Sequence, residues 1–255
     1  MASARSLFGV DDVRALGQWA VERAIPSAVA ASTLAVAVLI LGPLMVGQAP
    51  TEHFLLWNLA LAWIPFVAAL WVEALDVAGR LRLAMAFGLV WLLFLPNAPY
   101  LLSDFSHFNN ASATPWLDLA RLVAFGWAGV LLGLTSLRVV HRVVAARLGA
   151  VAGWAVVLAA AVASGVGVAL GRFARLNSWE LLTRPTAVAG EALRLGGTSR
   201  GVAVAMFFAA LVLVMYLALG DGGLRRFGMS GGRRSQKDAQ PRFGCPRRAR
   251  LGSTL

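Results

Sequence analysis

Six stretches of this chain are long and apolar enough to cross a bilayer, and they constrain the fold more than anything else in it. They run over Ala28 to Val46, Phe54 to Leu75, Leu81 to Tyr100, Leu117 to Leu137, Leu148 to Leu170 and Val202 to Leu219. Each approaches the roughly 20 residues that a helix needs to span a hydrocarbon core about 30 Å thick. Backbone in lipid must satisfy its own hydrogen bonds, so such runs fold as helices. The expected fold is all-α: a polytopic membrane helix bundle of about six transmembrane helices. Of the 255 residues 59% are hydrophobic and only 14% charged, against about 25% charged in soluble domains. The chain divides into an N-terminal segment (1–27), a transmembrane domain (28–220) and a tail (221–255).

The formal net charge is +11, which in a soluble chain would suggest nucleic acid. Here much of the excess lies in the tail, at Arg225, Arg226, Arg233, Arg234, Lys237, Arg242, Arg247, Arg248 and Arg250. A cytoplasmic tail beside anionic lipid explains it without a nucleic-acid partner. Its Gly, Arg, Ser and Pro content reads as disordered. With six spans both termini are then cytoplasmic, and Arg80, Arg82, Arg138, Arg142 and Arg147 fall on the same side. One loop breaks the pattern: residues 171–201 lie outside yet hold Arg172, Arg175, Arg184, Arg194 and Arg200. The single cysteine, Cys245, permits no intrachain disulfide and no thiolate metal cluster.

Before the first span, Val10, Val13, Leu16, Trp19 and Ala20 alternate with Asp11, Asp12, Arg14, Gln18 and Glu22. That spacing fits a short interfacial amphipathic helix, with a loosely ordered terminus as the alternative. The apolar run after it is long for a signal peptide, although Gly47-Gln48-Ala49 resembles a cleavage site.

The third run ends in Leu95-Pro96-Asn97-Ala98-Pro99-Tyr100-Leu101-Leu102-Ser103-Asp104-Phe105-Ser106-His107-Phe108. Each proline lacks an N–H and clashes with the preceding turn, whereas Asn97 can bond freed backbone groups. The stretch predicts a corner that redirects the chain at the interface, with Tyr100 in the aromatic belt. Two further segments share its character. One is Trp57-Asn58-Leu59-Ala60-Leu61-Ala62-Trp63-Ile64-Pro65; the other is Gly171-Arg172-Phe173-Ala174-Arg175-Leu176-Asn177-Ser178-Trp179-Glu180-Leu181-Leu182-Thr183-Arg184-Pro185.

These three segments, in this order, resemble the DUF1361 family of bacterial integral membrane proteins, over about residues 54–219. Leu176 stands where the family pattern tends to an aromatic residue and Glu180 where it tends to aspartate. The resemblance implies a multi-pass protein of the bacterial inner or plasma membrane. The family is defined by sequence rather than by an activity, so no reaction, cofactor or ligand comes with it.

The topology places all three segments at the outer face, where they can converge on one polar pocket. Asn58, Asn97, Tyr100, Arg172, Arg175, Asn177, Trp179 and Arg184 are its candidate ligand-binding residues. Guanidinium forks suit phosphate and carboxylate, so an anionic lipid head group is a candidate partner, as is another membrane protein. A purely internal network, with Asp104 and Glu180 neutralised by the arginines, fits the same residues. Asp104, His107 and Glu180 are the candidate acid–base groups of an alternative enzymatic reading. Asp104 and His107, three apart, would share a helical face, but a metal site would need a third ligand from His53, Asp118 or Glu180. No metal or other cofactor is assigned. The spans carry few mid-membrane charges, Asn58 and Ser164 being the main polar exceptions. Transport therefore ranks last. The fifth span, rich in Ala and Gly with Gly149-xxx-Gly153 and Gly167-xxx-Gly171, is expected inside the bundle.

Overall fold

A computed structural model describes residues 24–47, 53–108 and 112–219. The interfacial helix expected over Val10 to Ala24 (Ala24 apart), the cysteine and the basic tail fall outside them. Helices account for almost everything described, and no strand occurs among these residues. Six helical segments are long and apolar enough to cross a membrane, so the chain is a multi-pass membrane protein.

Helix α1 (Ile25–Met45) opens with Pro26 in its first turn, where the missing N–H costs nothing. Its buried residues Ala28, Ser32, Ala35, Leu39 and Pro43 repeat every three or four positions, so one stripe packs and the rest faces lipid. Helix α2 (His53–Val77) contains Pro65 and ends in a Schellman turn. There Gly79 takes a left-handed φ of 71°, its N–H donates to Asp76 O at 3.1 Å, and Arg80 N–H donates to Leu75 O at 2.9 Å. Helix α3 (Leu81–Phe94) then returns antiparallel against α2.

The expected corner at Pro96 is not a corner. Leu95 and Pro96 keep right-handed helical dihedrals, and the chain continues as α4 (Asn97–Ser103) and a 3₁₀ turn, Asp104–His107. Pro99 offers no N–H to Leu95 O, and Ala98 N–H turns to that carbonyl instead, at 3.1 Å. Phe94 O thereby loses its usual donor and receives Asn97 Nδ2 at 2.9 Å. The asparagine repairs the ladder that the prolines break, as its position in the sequence suggests. What holds the extension in place is α5 (Pro115–Leu148). A Cβ at Gly129 would come within 2.4 Å of Ala98 O, and one at Gly133 within 2.9 Å of Ala98 Cβ. Only glycine permits this approach.

Helix α5, not the glycine-rich fifth span, is the central post. Of its most apolar stretch 72% is buried, against 39% for the fifth span. At 34 residues it is about 51 Å long, so the supposed loop bearing Arg138, Arg142 and Arg147 is its final turns. Two cores share it: one against α1, α2 and α4, built on Phe66, Leu101, Phe125 and Leu132. The other, against α3, α6 and α9, is built on Trp91, Leu137, Val157 and Tyr216.

Helix α6 (Ala150–Ala169) ends in a π turn, Leu170–Ala174, stopped by Arg175 at a left-handed φ of 54°. The expected outer loop then contains α7 (Glu180–Thr183) and α8 (Pro185–Gly196), which buries Val188 and Leu195. Helix α9 (Ser199–Leu219) follows, its first turn capped by Thr198 Oγ1, which accepts from Gly201 N–H at 3.1 Å. Glycines Gly153, Gly167 and Gly171 do pack closely, against His141, Pro96 and Tyr100 respectively. Gly149 meets nothing and instead turns the chain with φ 92°.

Candidate functional site

The end of the bundle where α4 meets the π turn brings the three polar segments together. Asp104 is 1% exposed, and both carboxylate oxygens are held from remote parts of the chain. Asn58 Nδ2 on α2 donates to Oδ2 at 3.0 Å; Arg172 Nη2 donates to Oδ1 at 3.1 Å. Arg172 also donates to Ser103 Oγ at 2.7 Å and lies 5.1 Å from the centre of the Tyr100 ring, a cation–π distance. A second clasp joins the same segments, with Asn97 Nδ2 donating to Ser178 Oγ at 2.8 Å. Trp179 meets Trp57 edge-on, centroids 6.3 Å apart.

Above this clasp lies a cavity of about 960 Å³ between α2, α3, α6 and the segment that follows it. Its floor is apolar, with Leu61, Leu89, Leu92, Leu93 and Val166; its rim carries Asn58, Asn97, Tyr100, Arg172, Arg175 and Asn177. Leu89 is 70% and Val166 38% exposed, so the floor opens sideways toward the bilayer. Charge at the rim is unevenly matched. Arg172 is compensated by Asp104, whereas Arg175 is exposed and has no acid or acceptor among the described residues.

The expected network of arginines neutralising Asp104 and Glu180 forms only in part. Arg175 does not share a helical face with Arg172, because its left-handed backbone has already ended the helix. Glu180 Oε2 accepts from Asn177 N–H at 2.6 Å rather than pairing with Arg184, which is exposed and lies outside the cavity lining. Neither Asp104 nor Glu180 lines the cavity. The side chain of His107 falls outside the described residues. Asp118 pairs with Arg121 at 3.2 Å, and among the described residues no three His, Cys, Asp or Glu side chains gather as metal ligands.

Sequence reasoning missed Ser103, Ser178 and Arg121. The two serines flank residues already singled out, and their proximity to Asp104 and Trp179 was the available signal. It also undercounted buried charge: Arg121, Arg138 and Glu73 are all at most 9% exposed. At the opposite end of the bundle His141 hydrogen-bonds Tyr216, and Trp154 packs against both rings, its centroid 5.1 Å from that of His141. Arg147 there pairs with Asp76.

No curated protein and no solved structure matches the chain. Residues 57–215 match the family model described as "Protein of unknown function (DUF1361)", a span that contains all three polar segments and more than half of the sequence. The chain belongs to the DUF1361 family.

Proposed function

We propose that this protein is a binding protein of the cell membrane whose cleft holds the anionic head group of a membrane lipid. The observation that carries the reading is the cavity itself, an apolar floor open to the bilayer beneath a rim where Arg175 stands without an acid. An amphiphile matches both halves: its acyl chain covers Leu89, Leu92 and Leu93 while its phosphate meets a guanidinium fork. The cleft faces away from the cytoplasm. In support, Arg80, Arg82, Arg142 and Arg147 gather at the other end of the bundle, where cytoplasmic arginines belong.

The geometry favours binding over acid–base chemistry. Both oxygens of Asp104 are bonded within the fold, and Glu180 closes a turn. Native mass spectrometry of the detergent-purified protein tests the reading. Retained anionic phospholipid is expected on the wild type and on Arg184→Ala, and loss of it on Arg175→Ala. Equal retention by Arg175→Ala and wild type would overturn the assignment.

A further inference from the structure

The cleft also contains two hydrogen-bond acceptors whose identity the fold fixes. Asn58 uses its NH₂ group on the Asp104 carboxylate, and Asn97 uses its NH₂ group on the Phe94 carbonyl and on Ser178. A carboxylate and a carbonyl only accept, so in both amides the nitrogen must lie on that side. The other end of each amide is therefore a carbonyl oxygen. Neither Oδ1 has a donor among the described residues, and neither is sealed within the protein; both side chains line the cavity. A ligand that displaces water from them binds best when it brings donors of its own.

Charge sets a second condition. Two ionised groups line the cavity, Arg172 and Arg175, and Asp104 already offsets the first. One positive charge remains uncompensated. A dianionic phosphomonoester would bring one negative charge more than the rim offsets, whereas a zwitterion would leave Arg175 facing a ligand with no net charge.

Resting on the lipid-binding reading, we propose that the ligand is a monoanionic phosphodiester lipid with a hydroxylated, polyol-type head group. Its phosphate pairs with Arg175, and its hydroxyls donate to Asn58 Oδ1 and Asn97 Oδ1. The apolar floor requires the ligand to come from the bilayer rather than as a free glycerophosphodiester.

The test varies the lipid and leaves the protein intact. Wild-type protein in nanodiscs of phosphatidylcholine is titrated with phosphatidylglycerol, phosphatidylethanol, phosphatidic acid or phosphatidylethanolamine, and bound lipid is read by native mass spectrometry. Phosphatidylethanol keeps the single charge and lacks hydroxyls; phosphatidic acid carries the extra charge. Each neutral hydrogen bond corresponds to roughly threefold to tenfold in affinity, so phosphatidylglycerol should exceed phosphatidylethanol by at least about threefold, and exceed the other two as well. Equal binding of phosphatidylglycerol and phosphatidylethanol would overturn the hydroxyl recognition while leaving anionic lipid binding intact. Phosphatidic acid binding as tightly as phosphatidylglycerol would overturn the single-charge condition. Displacement of the lipid by equimolar water-soluble glycerophosphoglycerol would overturn the bilayer source. If no anionic lipid exceeds phosphatidylcholine, both the lipid-binding reading and this refinement fail together.

Discussion

Asp104 and Arg172, 68 residues apart in the chain, meet at 3.1 Å, and the carboxylate is almost wholly buried. This contact ties the third membrane span to the π turn that ends the fifth. The same carboxylate holds Asn58 on the second span, so three segments far apart in the chain are pinned at one point. The cleft is built on that point.

Removing either partner alone should therefore be costly. Breaking a buried ion pair leaves an uncompensated charge, at about 3–5 kcal/mol. Asp104→Asn and Arg172→Gln should each lower the melting temperature of the detergent-purified protein markedly. The double variant should melt above the sum of the two losses, because it leaves no orphaned charge. Strict additivity of the two would show that the residues do not act as a pair.

The pair at the other end of the bundle should behave differently. Arg147 is 39% exposed where it meets Asp76, and exposed pairs contribute about 0–1 kcal/mol. Arg147→Gln is expected to shift the melting temperature by no more than a small fraction of the Asp104→Asn effect. A comparable loss would mean that the two pairs carry similar weight.

Glycine substitutions discriminate the packing. A Cβ at Gly165 would lie 2.0 Å from Ala205 O, so Gly165→Ala forces α6 and α9 apart. At Gly88, within α3, a Cβ meets nothing, and Ala gains roughly 1 kcal/mol of helix propensity. Thermal melts should show Gly165→Ala destabilised and Gly88→Ala unchanged or improved. The opposite order would contradict the α6–α9 contact.

Much of this was legible from residue order, and the exceptions have physical causes. Apolar length alone located all six spans, because lipid admits no other solution. The three polar segments could be grouped by topology, but the partner of each side chain could not. Pro96 and Pro99 suggest a break; that the helix survives depends on Gly126, Gly129 and Gly133 of α5, which receive α4. The centrality of α5 was hidden for a related reason. A buried span and a lipid-facing one are equally apolar, so burial leaves no mark in hydropathy. Arg175 in left-handed backbone runs against its residue type, and nothing local announces it. Helix α8 did carry a signal, Pro185 at its start and Gly196-Gly197 at its end, which the arginines around it obscured.

Topology offers an independent check on the convergence. Ser112 and Ala187 follow odd-numbered spans, so reporter tags placed at the two positions should be accessible from the same face of the membrane, and that face should be non-cytoplasmic. Tags on opposite faces would separate the segments that Asp104 and Arg172 join.

The most direct measurement asks where a lipid sits. A phosphatidylglycerol carrying a photoactivatable group on its acyl chain, incorporated into proteoliposomes with the wild-type protein, can be cross-linked and its adducts mapped by peptide mass spectrometry. Adducts concentrated on Leu89 to Leu93 of α3 and on Val166 to Leu170, where α6 passes into the π turn, and lost in Arg175→Ala, are the expected result. Adducts spread evenly over the lipid-facing surfaces of α1 and α9, and indifferent to Arg175, would contradict it.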